Sequence, residues 1–167
     1  MRYTETVERG RQSRSRKGGA GDRAVSMGQR LWEQSERDLE VARLTLQPRG
    51  HYAAANFAHQ ATEKALKAAH WHLRGEEPPW NHRLPEIAER VAECTGPLPT
   101  AVDDALDRLE PLFEQTRYPS GDITEPIPAE LVGEPEAAAA IQNAEKVIEW
   151  VRKLLQRPPR KAQSETR

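Results

Sequence analysis

Four polar residues recur at helical spacing in the middle of the chain, with Asn56, Gln60, Glu63 and Lys67 separated by four, three and four positions. On a helix, that spacing places all four groups on one face. Two chemistries fit them. Glu63 and Lys67 at i,i+4 form a favourable exposed ion pair of about 0.3–0.5 kcal/mol, which requires no further role. A central helix, by contrast, turns polar groups inward only where a ligand, a partner or a second subunit meets them. The segment around the row has few plainly solvated positions, which keeps the second chemistry open.

Five histidines could supply acid–base or metal chemistry. His59 and Glu63 at i,i+4 can both reach one metal ion, but without a third ligand nearby the pair is weak evidence, and no metal is expected. His70 and His72 point to different sides of a helix. The single cysteine, Cys94, can build neither an internal disulfide nor a thiolate zinc scaffold, and it fits a reducing compartment. The glycines near Arg16 lack the Gly-Lys-Ser/Thr ending of a phosphate loop, and nothing resembles a nucleophile elbow. No cofactor is expected.

Helices must position these residues, because the apolar pattern is helical from end to end of the body. Leu31, Ser35, Leu39, Ala42 and Leu46 form one face of a first helix over about Met27 to Gln47, which Pro48 and Gly50 break. The second, about His51 to Leu73, carries a stripe of small residues, Ala54, Ala58, Ala61, Ala65 and Ala68, that lets another helix approach closely. A third spans about Leu84 to Glu93, with Asn81 or His82 as its expected cap and Pro85 in its first turn. A fourth runs from Thr100, its expected cap, to Thr116, and Pro111 should bend or restart it. Pro119 ends it, because the residue before a proline is pushed out of helical backbone. A loop of about 16 residues follows, a length usually associated with function or mobility. The last helix covers about Glu134 to Leu155, burying Ala140, Ile141, Ala144, Val147, Ile148, Val151 and Leu155.

The chain has 167 residues, the length of one domain, and no apolar run long enough to span a membrane, so a cytoplasmic protein is expected. Its net charge of −1 is unevenly spread. Residues 1–30 carry eight basic and three acidic side chains, residues 31–155 carry 13 and 22, and residues 156–167 carry four and one. An acidic body repels phosphate backbones, so attraction to nucleic acid would come from the tails or a local cationic pocket. Residues 1–26, rich in Arg, Ser and Gly, have almost nothing apolar to bury and read as a disordered basic tail. That tail is either simply solvated or an RNA-binding arm. Met27, at the start of the first periodic segment, leaves open whether residues 1–26 belong to the native protein. Residues 157–167, opened by Pro158-Pro159, read as a second disordered tail.

Three signatures occur in order: Ala54-Ala55-Asn56-Phe57-Ala58-His59-Gln60-Ala61-Thr62-Glu63-Lys64-Ala65-Leu66-Lys67-Ala68, then His82-Arg83-Leu84, then Arg117-Tyr118-Pro119. An Ala-rich closing helix follows. Together they resemble the HEPN domain family, in the branch paired with minimal nucleotidyltransferases. The resemblance implies an all-α fold, an antiparallel bundle of four to five helices over residues 27–156. It also implies a homodimer with a pocket near its seam, a partner nucleotidyltransferase and a nucleotide ligand.

The implied candidates for binding nucleotide or partner are Asn56, Gln60, Glu63, Lys67, His82, Arg117 and Tyr118. Each has an ordinary alternative. His82 is a cap or a buried hydrogen-bond partner, or else a ligand contact. Arg117 meets the negative end of the fourth helix or holds a phosphate. Tyr118 belongs to the core, or stands exposed to stack on a base or accept a modification. Glu63 and Lys67 tie helices together within or between subunits.

Some relatives are ribonuclease toxins of toxin–antitoxin pairs, and their chemistry requires an Arg followed four to six residues later by a His. No histidine here has an arginine at that distance before it; Lys67 with His72 approximates the pattern, with lysine in place of arginine, and none of the seven residues after Arg117 is a histidine. No catalytic residue is therefore assigned, and the isolated protein is expected to lack ribonuclease activity. RNA would be a substrate only if the chain were a divergent ribonuclease.

Overall fold

The structure, a computed structural model, describes residues 19–158. Every regular element among them is helical: α1 (Ala20–Leu44), α2 (His51–Arg74), α3 (Leu84–Thr95), α4 (Thr100–Leu109), α5 (Leu112–Gln115), α6 (Pro128–Leu131) and α7 (Glu134–Leu155). Most of the two segments expected to be disordered, residues 1–18 and 159–167, lies outside the described residues. The remainder of the first corrects the expected boundary, because α1 starts at Ala20 rather than near Met27. Ala24 and Gly28 are buried, in a small cleft they share with Trp32, His72 and Leu155. Those extra turns are held by contacts with the ends of α2 and α7, which no local apolar period announces.

α2 is the central element, packed against α1, α3 and α7. Its five-alanine stripe is fully buried, and the small side chains let backbones approach. The Ser35 hydroxyl donates to the Ala61 carbonyl across the seam at 2.7 Å, and a Cβ added to Gly28 would lie 3.2 Å from the Cβ of Trp71. Gly75 ends α2 in the left-handed region, φ 70°, where a residue without Cβ is not strained.

Side-chain pairs fix the directions of the helices. Arg43 meets Glu145 at 2.6 Å and Arg152 meets Glu36 at 3.6 Å, so α7 runs antiparallel to α1. His72 Nε2 sits 2.7 Å from the Arg157 carbonyl, so α2 and α7 end together and run in the same direction. After Gly75 the chain doubles back along α2, because His82 lies beside Glu63 while Arg74 pairs with Glu93 at 2.7 Å. α3 therefore runs parallel to α2, and α4 returns so that Glu110 reaches the start of α3.

Local signals hold with two corrections. Neither Asn81 nor His82 caps α3: Arg83 takes that position, and the Glu110 carboxylate accepts the Leu84 N–H at 2.8 Å. Thr100 does not cap α4 but lies inside it, after Pro99. Pro111 separates α4 from α5, where a continuous helix would require the N–H that proline lacks. The long loop before α7 holds one further turn, α6. Glu136 then accepts the Gly133 N–H at 3.1 Å to start α7, whose first turn is acidic and last turn basic, as the helix dipole favours.

Candidate functional site

Hydrogen bonding divides the polar row of α2 into two parts. Gln60 donates to Asn56 at 2.6 Å, Lys64 reaches Gln60 at 3.4 Å and Asp38 of α1 at 2.5 Å, and Gln34 donates to the same Asp38 at 2.7 Å. Asn56 and Gln60 thus belong to a network that ties α2 to α1 beside a buried Asp38. Glu63 and Lys67 belong elsewhere. Lys67 Nζ donates to Glu63 at 2.8 Å, and His82 Nδ1 lies 3.0 Å and 3.1 Å from the two oxygens of the same carboxylate.

His82 arrives there because the strap over residues 75–83 is pinned at both ends. His70 Nδ1 lies 3.2 Å from the Glu76 carbonyl, and directly after the strap the Leu84 N–H donates to the Glu110 carboxylate at 2.8 Å. The His82 ring stacks on Phe113 of α5 with centroids 4.9 Å apart and planes 18° from parallel. The guanidinium carbon of Arg117 stands 4.2 Å from the centre of the same ring, a cation–π contact. The restart after Pro111 is what turns Phe113 toward α2.

Electrostatics sets the state of this cluster. Burial alone would raise the Glu63 carboxyl, but hydrogen bonds and positive charge from Lys67 and His82 outweigh it, and the group is held below the usual carboxylate range. Glu63 is therefore ionised at neutral pH. An ionised carboxylate at Nδ1 accepts a hydrogen bond from that nitrogen, which leaves His82 Nε2 with no hydrogen-bond partner among the described residues. His59, beneath, is fully buried with its ring 5.6 Å from that of Phe113, and neither nitrogen has a hydrogen-bond partner among the described residues. Burial lowers its pKa from 6.5 to about 4; Glu63 opposes the shift, and the charges of Arg117, His82 and Lys64 add to it.

The structure therefore brings Glu63, Lys67, His82 and Arg117 to one place and joins Asn56 and Gln60 to α1 instead. Tyr118 is not core, as one expectation had it, but 67% exposed. The chain turns outward there, with both Arg117 and Tyr118 donating their N–H groups to the Glu114 carbonyl ahead of Pro119. Two open clefts meet at Phe113. One of about 590 Å³ is bordered by Tyr118, Glu125, Pro126 and Leu131, and one of about 740 Å³ by Trp80, His82, Arg83, Glu110 and Glu114. Lys67 and His72 do not form a joint site: Lys67 turns to Glu63, and His72 to the far end of α7. No group of three metal-ligating side chains converges among the described residues, and none of their helices is long and apolar enough to cross a membrane.

Sequence reasoning missed Phe113 and Trp80 as site residues. Phe113 had a signal, since it precedes Arg117 by one helical turn, the spacing of a cation–π pair. Trp80 had none, because its exposure depends on the path of the strap.

A family model for the HEPN domain matches residues 29–154. Among solved structures, TT1696 from Thermus thermophilus is 27% identical with a TM-score of 0.69, over 77% of this chain and 98% of that one. ST0689, an archaeal HEPN homologue, is 24% identical with a TM-score of 0.62 over the same shares, a likeness of fold alone. No curated protein matched. The family match runs from the first long helix into the last and takes in every residue of the cluster, so the chain belongs to the HEPN domain family.

Proposed function

We propose that the chain is a non-catalytic HEPN module that dimerises and binds a nucleotide, a partner nucleotidyltransferase, or both. The observation that carries this reading is the continuous run of contacts from Lys67 through Glu63 to His82 and from His82 over Phe113 to Arg117, with Phe113 lining two clefts. A guanidinium resting on an aromatic ring, with no ion pair among the described residues, is free to meet a phosphate or a partner's carboxylate. Half-buried Asn56, Phe57, Gln60, Lys64, Lys67 and Trp71 run along one side of α2, a strip that a second copy would cover. Sedimentation of the purified chain should give a dimer, and calorimetry with ATP or co-purification with a nucleotidyltransferase encoded nearby should detect the ligand or partner. A monomer that shows neither would overturn the reading.

A second reading, a divergent ribonuclease toxin, is favoured by one feature. A carboxylate that holds His82 through Nδ1, in a side chain 56% exposed, is an arrangement suited to proton transfer from a ribose hydroxyl. Growth arrest on expression, with RNA cleavage that His82→Ala or Lys67→Ala abolishes, would establish it. RNA left intact by the purified dimer at neutral pH would leave the binding module standing.

A further inference from the structure

The 740 Å³ cleft contains a residue that the cluster does not use. Trp80 is 92% exposed, yet it is held in place by its indole N–H, which donates to Glu77 at 3.0 Å. A tethered indole standing almost wholly in water buries little of its own apolar area in the fold. In the same cleft, His82 rests on Phe113 with 56% of its side chain exposed, so an imidazole surface also remains open. The cleft therefore combines two accessible aromatic rings, one of them already part of a stack, with polar groups along its lip: Asn81, Arg83, Glu110, Glu114 and Gln115. Its volume lies within the range of small-ligand sites.

We propose that this cleft is the base subsite of the nucleotide site, where a purine ring stacks against Trp80 and His82; the proposal rests on the nucleotide reading above. Stacking needs only a flat π surface, which every base offers and a purine offers most. Polarity favours the same class, because the exposed carboxylate of Glu114 accepts hydrogen bonds and guanine presents two adjacent N–H donors. Glu110 is already engaged, with the Leu84 N–H and near Arg83, which leaves Glu114 as the acceptor on that wall. A free mononucleotide fits better than a strand. Glu110 and Glu114 line the cleft, and the body over residues 31–155 carries nine more acidic than basic side chains, so a run of backbone phosphates would be repelled. One phosphate group can meet Arg83 on the lip, whose exposed pairing with Glu86 at 3.2 Å and with Glu110 at 3.8 Å is weak enough to be exchanged for it, while Arg117 lies outside this cleft.

Fluorescence titration of the full chain with GMP tests the assignment, since Trp80 is one of four tryptophans and its substitution leaves the buried core untouched. GMP should quench the emission, and Trp80→Phe should lose the quench while keeping affinity within about twofold by equilibrium dialysis. Trp80→Ala should weaken binding about tenfold. Glu114→Gln should reduce the preference for GMP over UMP without weakening UMP. GMP bound with unchanged affinity by Trp80→Ala, or no more tightly than ribose 5-phosphate, would overturn the base subsite and leave the nucleotide reading intact. No dialysis signal for GMP, AMP or ATP at millimolar concentration would overturn both. A tetranucleotide that binds more tightly than GMP would replace the mononucleotide with a strand and overturn the assignment.

Discussion

Burial makes His59 a neutral group in the folded chain. Its imidazole has no hydrogen-bond partner among the described residues, and desolvation first of all lowers its pKa from 6.5 to about 4. Once unfolded, the same ring titrates near 6.5, so between those values the unfolded chain takes up a proton that the folded chain refuses. The stability contributed is full above about 6.5 and is lost as pH falls toward about 4, by about 3 kcal/mol in all. His59→Phe removes the titrating group and keeps a ring against Phe113, so its urea midpoint should change less between about pH 7 and about pH 4.5 than that of the parent. Equal changes would show that His59 does not govern acid sensitivity in this window. Glu63 acts lower on the scale, since its folded pKa is depressed and its contribution is lost only below the ordinary carboxylate value. Glu63→Gln leaves Lys67, whose side chain is only 16% exposed, without its counter-charge and should cost about 3 kcal/mol in denaturant unfolding. The sequence shows the i,i+4 ladder of His59, Glu63 and Lys67, but not that His82 closes it. That contact spans 19 positions and depends on a strap whose return no periodicity encodes.

Between elements, the governing quantity is how closely α1 and α2 can approach. Gly28 marks the tightest point, where an added Cβ would stand 3.2 Å from that of Trp71. Alanine there offsets the crowding with better helix propensity, whereas a larger side chain must bend past the Trp71 Cβ into the cleft beside Trp32 and His72 and push α1 away from α2. Gly28→Leu should therefore destabilise the protein by about 2 kcal/mol, read as a lower thermal midpoint, and a variant as stable as the parent would show that the helices separate at little cost. The five longer helices were legible because each buries an apolar stripe at helical spacing and is stopped by proline or glycine. What could not be read follows from contacts distant in sequence: the extra turns from Ala20, the short α6, and the cap that Glu110 supplies to α3 across 26 positions. The four polar residues share one face of α2, as their spacing requires, but their partners divide for a related reason. Asp38, which draws Lys64 and Gln60 toward α1, sits on another helix, and only the packing of the two reveals that it is buried.

At the scale of the whole molecule, charge separates two kinds of nucleic-acid encounter. Residues 31–155 are strongly acidic, while residues 1–30 carry eight basic and three acidic side chains. Any affinity for RNA should therefore reside in the basic segment and behave as phosphate neutralisation does, with log K falling by about 0.7 per log unit of salt for each phosphate contacted on a single strand. A mononucleotide held by stacking in the Trp80 cleft releases few counterions and should depend far less on salt. Deleting residues 1–18 leaves the start of α1 at Ala20 in place, so the truncated chain should keep its thermal midpoint and its GMP affinity, and any binding of single-stranded RNA that the full chain shows at low salt should go with the deletion. If RNA binding survived the deletion with its salt dependence unchanged, the cationic contacts would have to lie on the body, and Lys67, Arg83 and Arg117 would be the first residues to test. If GMP affinity fell with the deletion, the base subsite would have to include a contribution from the basic segment as well as Trp80 and His82.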